Sequence, residues 1–133
     1  EFFASPYELN MGHFIDFSSE RFVGYDKLFK TVDAKVHSKL VGIVIDWRNL
    51  LNIEPREFKR VKWYPVKAHQ NGKEIGHVTS IVWSPTLKKV IGFGHIDIEN
   101  FDTLKKIDLL WENNQKISAS ICPLPFYKIN RAN

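Results

Sequence analysis

Hydrophobic positions along this chain come mostly in short alternating or continuous runs separated by turn residues, a pattern of strands rather than helices. Leu40 to Ile45 is a continuous apolar run rich in β-branched residues, which predicts a strand buried on both sides and ended by Asp46. Leu50 to Glu57 carries Asn52 and Pro55 and reads as loop. Val61, Trp63 and Pro65 then alternate with Lys62 and Tyr64, predicting a strand that Pro65 confines to a sheet edge. Asn71-Gly72 marks a two-residue hairpin turn, because both residues tolerate positive φ, and leads into a strand over Ile75–Trp83. Ser84-Pro85-Thr86 makes the next turn and Val90–Ile98 returns. Between Phe101 and Trp111 the helical spacing is weak, whereas Ile107, Leu109 and Trp111 alternate with Asp108, Leu110 and Glu112 and favour a strand from Ile107. Asn113-Asn114 turns the chain into a closing strand over Ile117–Cys122.

Only Tyr25–Val32 has helical spacing, with Leu28, Phe29 and Val32 on one apolar face. The expected fold class is therefore mainly β, an antiparallel six-stranded barrel with one short N-terminal helix. Ile43, Val78, Ile81 or Val82, Ile91 and Ile121 are the expected core. There is no internal repeat, and residues 1–38 read as a connecting segment leading into a barrel domain over 39–133.

Composition narrows the function classes. A chain of 133 residues is about one domain with one core. Its 44% hydrophobic and 26% charged residues are ordinary for a globular protein, and no apolar run is long enough to span a bilayer as a helix. Glu1 is not followed by the basic and apolar stretches of a secretory leader, and the single Cys122 has no internal disulfide partner, so a cytoplasmic location is expected. The net charge of +4 is spread over separate pairs, Lys59-Arg60, Lys88-Lys89 and Lys105-Lys106, which suit solvated turns and strand edges better than a phosphate-binding stripe.

Residue types capable of chemistry are present without a recognisable constellation. His13, His37, His69, His77 and His95 include no pair at the spacing of a zinc site, and no metal is expected. His77 and Thr79 share a strand face by period two, with Ser80 on the other, but no acid is placed to complete a triad. Asp97 and Glu99 also share a face, which alternation with Ile96 and Ile98 makes a solvated one. Of Trp47, Trp63, Trp83 and Trp111, most should pack in the core or an interface. Trp83 stands apart because it precedes the Ser-Pro turn at a strand end, where a side chain can lean into a neighbouring cavity.

Several segments in order carry a family resemblance: Ser5-Pro6-Tyr7-Glu8, Phe22-Val23-Gly24-Tyr25-Asp26-Lys27-Leu28, Val78-Thr79-Ser80, Ser84-Pro85-Thr86-Leu87, and Leu124-Pro125-Phe126-Tyr127. Together they resemble the C-terminal barrel domain of the glycine cleavage T-protein (aminomethyltransferase) family of folate-dependent one-carbon transfer enzymes. The resemblance implies an accessory domain that covers a tetrahydrofolate cavity and supports catalytic domains, with those N-terminal folate-binding domains and a small-molecule one-carbon donor as partners. It implies no catalytic residue here, and no one-carbon transfer by this chain alone. Glu8, bordering the folate region, Trp83, and Asn113 are the candidate cofactor-binding residues, with a structural salt bridge or cap the alternative for Glu8. Where glycine cleavage members carry an Arg-Gly pair before the last strand, this chain has Asn113-Asn114, which removes a cation that would attract an anionic donor. Folate-dependent demethylases of the same family, such as dimethylsulfoniopropionate demethylase, therefore remain an alternative parent. A self-standing nucleic-acid or carbohydrate-binding barrel is the alternative of another class, and would cluster aromatics beside lysines on one exposed strand face.

Overall fold

A computed structural model describes residues 4–32, 36–46, 48, 50, 65–97, 106–111 and 115–127. Six antiparallel strands form a closed barrel in the order β1-β4-β3-β2-β5-β6, where β1 is Ser38–Ile45, β2 Val66–Gln70, β3 Lys73–Ser84, β4 Lys89–Asp97, β5 Ile107–Leu110 and β6 Lys116–Cys122. A 3-10 turn, Gly12–Phe14, and one short helix, α1 (Tyr25–Thr31), precede the barrel.

Alternation places the core. In β5 and β6, Ile107, Leu109, Ile117 and Ala119 point inward, and in β4 Val90 and Ile96 do the same. Ile43, Ile45, Val66, Ala68, Ile75, Val78 and Ile81 complete the interior with Leu50 and Trp111 at its ends. Two expected core positions differ. Ile91 is only half-buried, because Val90 and Gly92 take the inward register around it, and Ile121 lies half-buried against the core rather than in it.

Strand β3 departs from simple alternation. Its buried residues, Ile75, Val78 and Ile81, recur every third position because the register slips twice, once against β2 near Ala68 and once against β4 between Val78 and Ser80. Each slip is a β-bulge, which bends and coils the strand so that twelve residues can follow the barrel wall. Thr79 is the extra residue of the second bulge, and its Oγ1 donates to the Phe93 carbonyl at 3.2 Å. Thr79 and Ser80 are therefore both half-buried between two inward residues, instead of lying on opposite faces.

The hairpin at Asn71-Gly72 forms as expected, with φ of 54° and 80° and Gln70 paired to Lys73. The strand ahead of it is not an edge. β2 begins only at Val66, after exposed Pro65, and is hydrogen-bonded on both sides, to β3 and to β5. Pro65 precedes the ladder instead of interrupting it, so its missing N–H costs no pairing. The alternating run at 61–64 lies outside the described residues.

Helix α1 forms over Tyr25–Thr31, but its apolar face is left largely open, with only Leu28 half-buried among its three apolar positions. Phe29 is 58% exposed, and Val32 beyond it is exposed as well. Phe17, Phe22, Tyr25 and Phe29 pack instead on one another, with ring centroids 5.3–6.3 Å apart.

Candidate functional site

The N-terminal segment meets the barrel where β6 runs out. Strand β6 pairs with β1 only over Gly42–Val44, leaving the main-chain groups of Leu40 facing a gap on that side. The Leu40 N–H donates to the Glu8 carbonyl at 2.7 Å, and Asn10 Nδ2 donates to the Leu40 carbonyl at 2.6 Å. Two residues of the connecting segment thus stand in for the missing strand and satisfy an otherwise open edge. Asn10 takes this position with φ of 59°, a left-handed conformation that Asn tolerates better than most residues.

Glu8 is held in place by a reciprocal pair. The Ser5 N–H donates to Glu8 Oε2 at 2.7 Å and the Glu8 N–H donates to Ser5 Oγ at 3.3 Å, while Ser38 Oγ donates to Oε1 at 3.4 Å. The Ser5 amide and hydroxyl hold its carboxyl below the usual range, with a smaller contribution from Ser38 and from the charge of His95. These bonds give Glu8 the structural cap as its visible role.

Two clefts flank the β1–β6 seam. The first, about 510 Å³, is bounded by Asn10, Lys39, Leu40, Val41 and the exit of β6 through Ile121, Cys122, Pro123 and Leu124, and its walls are mostly apolar. The second, about 490 Å³, lies towards the other end of β1, where Arg48, Lys89 and Lys106 surround Ser118 and Ser120. Asp46 is the one acid in its lining, and the Arg48 guanidinium bonded to it lowers its pKa to about 2. Above the seam, Phe126 lies over Gly42 and against Phe93, with ring centroids 5.6 Å apart. A β-carbon at Gly42 would come within 2.8 Å of the Phe126 ring.

The three residues singled out from sequence are not assembled into one site. Trp83 pairs with Val90 at the turn end of the β3–β4 hairpin and packs half-buried against the core. Glu8 lies at the opposite end of β1, near Leu40 and thus near His95, five residues along β4 from Val90, or roughly 17 Å at strand rise. Asn113 lies outside the described residues. What sequence reasoning missed is a pair: His77 and His95 are directly opposed on β3 and β4, their rings 5.7 Å apart and 26° from parallel. Counting back from the turn, where Ser84 faces Lys89, would set His77 against Ile96. The bulge at Thr79 moves it onto His95.

Among the described residues no group of three metal-ligating side chains converges. A closed six-stranded antiparallel barrel preceded by an apolar-faced segment defines a β-barrel domain. The sequence matches the family described as the glycine cleavage T-protein C-terminal barrel domain over residues 38–128, and the chain belongs to that family. It is 30% identical over 124 residues to an aminomethyltransferase of Desulforamulus reducens and 35% identical over 125 residues to one of Listeria monocytogenes serotype 4a. Each match covers 93% of this chain but only 31% of the relative's length. The crystal structure of the glycine cleavage system aminomethyltransferase T from Bartonella henselae superposes with a TM-score of 0.69 at 16% identity, over 92% of this chain and 32% of that one, a likeness of fold.

Proposed function

We propose that this chain serves as the C-terminal part of a tetrahydrofolate-dependent aminomethyltransferase, covering the folate cavity and bracing the catalytic domains. The family match and the aminomethyltransferase relatives support this reading, and the observation that carries it is the unburied apolar surface ahead of the barrel. Phe14 is 74% exposed, Val23 fully exposed and Phe29 more than half exposed, and Phe22 and Val32 add to the same segment, although the barrel core itself is complete. Burying such side chains is worth ~1.5–3 kcal/mol each, enough to hold another domain in place.

In this reading residues 1–38 are the connection from the folate-binding region and 39–133 the barrel. Trp83, half-buried at a strand end, Asn113, which lies outside the described residues, and Glu8 beside the β1 edge are the residues assigned to the folate or donor side. Tetrahydrofolate and a small one-carbon donor are the ligands of the whole enzyme, and the cytoplasm its place. No helix among the described residues is long and apolar enough to cross a membrane. A demethylase parent rests on Asn113-Asn114 alone, against relatives named as aminomethyltransferases. A free-standing nucleic-acid or sugar-binding barrel lacks its expected surface: among the described strand residues, Phe93 is the one exposed large hydrophobic, and it is in contact with Phe126.

The test is domain docking. The N-terminal two-thirds of the Listeria relative, added in trans, should bind this chain, and Phe14→Asp with Phe29→Asp should abolish that binding while leaving the melting temperature of the barrel unchanged. Binding that ignores both substitutions would remove the argument from the apolar segment.

A further inference from the structure

We propose that His77 and His95 form a binding site for a divalent transition-metal ion, Zn²⁺ or Ni²⁺, on the outer wall of the barrel. The two residues are directly opposed across β3 and β4, and both are half-buried while their neighbours Val78 and Ile96 point into the core. Their rings therefore share the outer face. An ion with metal–nitrogen bonds of about 2.0–2.1 Å holds two imidazole centroids roughly 5 Å apart at a tetrahedral angle and roughly 6 Å apart when opposed. The observed 5.7 Å falls between these limits, and since the rings now stack at 26° from parallel, their nitrogens reach a shared ion by rotation about the side-chain torsions. Imidazole suits these metals.

Charged groups of both signs border the pair. Around His77 stand Glu74 and Lys67, joined in an ion pair at 2.8 Å, with Lys67 opposite His77 in the β2–β3 register. On the His95 side stands Glu8 with Ser38. The two carboxylates lower the energy of a positive ion on the pair, and the Lys67 ammonium bound to Glu74 offsets part of that gain. Two protein ligands and water make an exchangeable site, distinct from a closed structural zinc centre.

Isothermal titration of the purified chain with ZnCl₂ and NiCl₂ near neutral pH should show one ion per chain. His77→Gln and His95→Gln should each weaken it at least tenfold, and His13→Gln should leave it unchanged. Should either variant fold poorly, the imidazole resonances of His77 and His95 in the unmodified chain decide the matter by shifting together on Zn²⁺ addition. Absence of binding, binding indifferent to both substitutions, or resonances that do not move would overturn the assignment.

Discussion

Asn10 offers the sharpest test of how the connecting segment is fastened. Its side chain donates to the Leu40 carbonyl at 2.6 Å, and its backbone sits at φ 59°. Replacing it with Ala removes a hydrogen bond worth ~0.5–1.5 kcal/mol and forces a β-carbon without a compensating side-chain bond into the left-handed region, at ~1–2 kcal/mol more. The sum, about 1.5–3.5 kcal/mol, corresponds to a local opening equilibrium raised roughly 10- to 300-fold. Asn10→Gly loses the same bond but relieves the backbone, so it should fall short of the Ala change by ~1 kcal/mol, about fivefold. Native-state hydrogen exchange at the Leu40 amide, which donates to the Glu8 carbonyl, reads this opening directly. If that amide exchanges at the parent rate in Asn10→Ala, or if Gly proves worse than Ala, the segment is not held to β1 in the way described.

Three other outcomes follow from the packing and the charges. Ile43, fully buried between β4 and β6, should cost ~2–5 kcal/mol when cut to Ala, read from urea unfolding. Gly42→Ala puts a methyl 2.7 Å from Cys122 Sγ and 2.8 Å from the Phe126 ring, so it should lift Phe126 off Phe93 and lower stability by ~1–3 kcal/mol in thermal unfolding. Glu8, with its pKa lowered in the fold, contributes stability that is complete above its unfolded value near 4.5 and lost as pH falls through the lower folded value. The advantage of the parent over Glu8→Gln should therefore be present at pH 7 and diminish as pH falls below 4.5 in urea titrations, and a difference that stays constant on acidification would refute the role given to Ser5.

Much of the barrel was legible from period two, and the reasons for the exceptions are local. Ile107, Leu109 and Ile117 alternate cleanly in the sequence and lie buried in the structure, and the Asn71-Gly72 turn set its hairpin by φ alone. The core expectation failed at Ile91 and Ile121 because register decides which half of a β-branched run faces inward, and apolar type does not. Bulges were invisible for a related cause. Nothing in Val78-Thr79-Ser80 marks Thr79 as an inserted residue, yet that insertion alone opposes His77 to His95. Leu28, Phe29 and Val32 were rightly grouped as a helical apolar stripe, but one sequence cannot tell a stripe that packs on its own barrel from one left open. The Ser5-x-x-Glu8 pair was readable as a capping arrangement, whereas its attachment to Leu40 depends on where β6 ends.

As proposed above, this barrel completes a folate enzyme and does no chemistry by itself. Splicing the chain in place of the corresponding third of the Listeria aminomethyltransferase, and measuring tetrahydrofolate-dependent one-carbon transfer beside the isolated chain, tests it most directly. The chimera should bind tetrahydrofolate and turn over, and the isolated chain should do neither beyond weak binding. Turnover by the isolated chain, or a folded chimera that holds folate no better than the relative's N-terminal two-thirds alone, would contradict it.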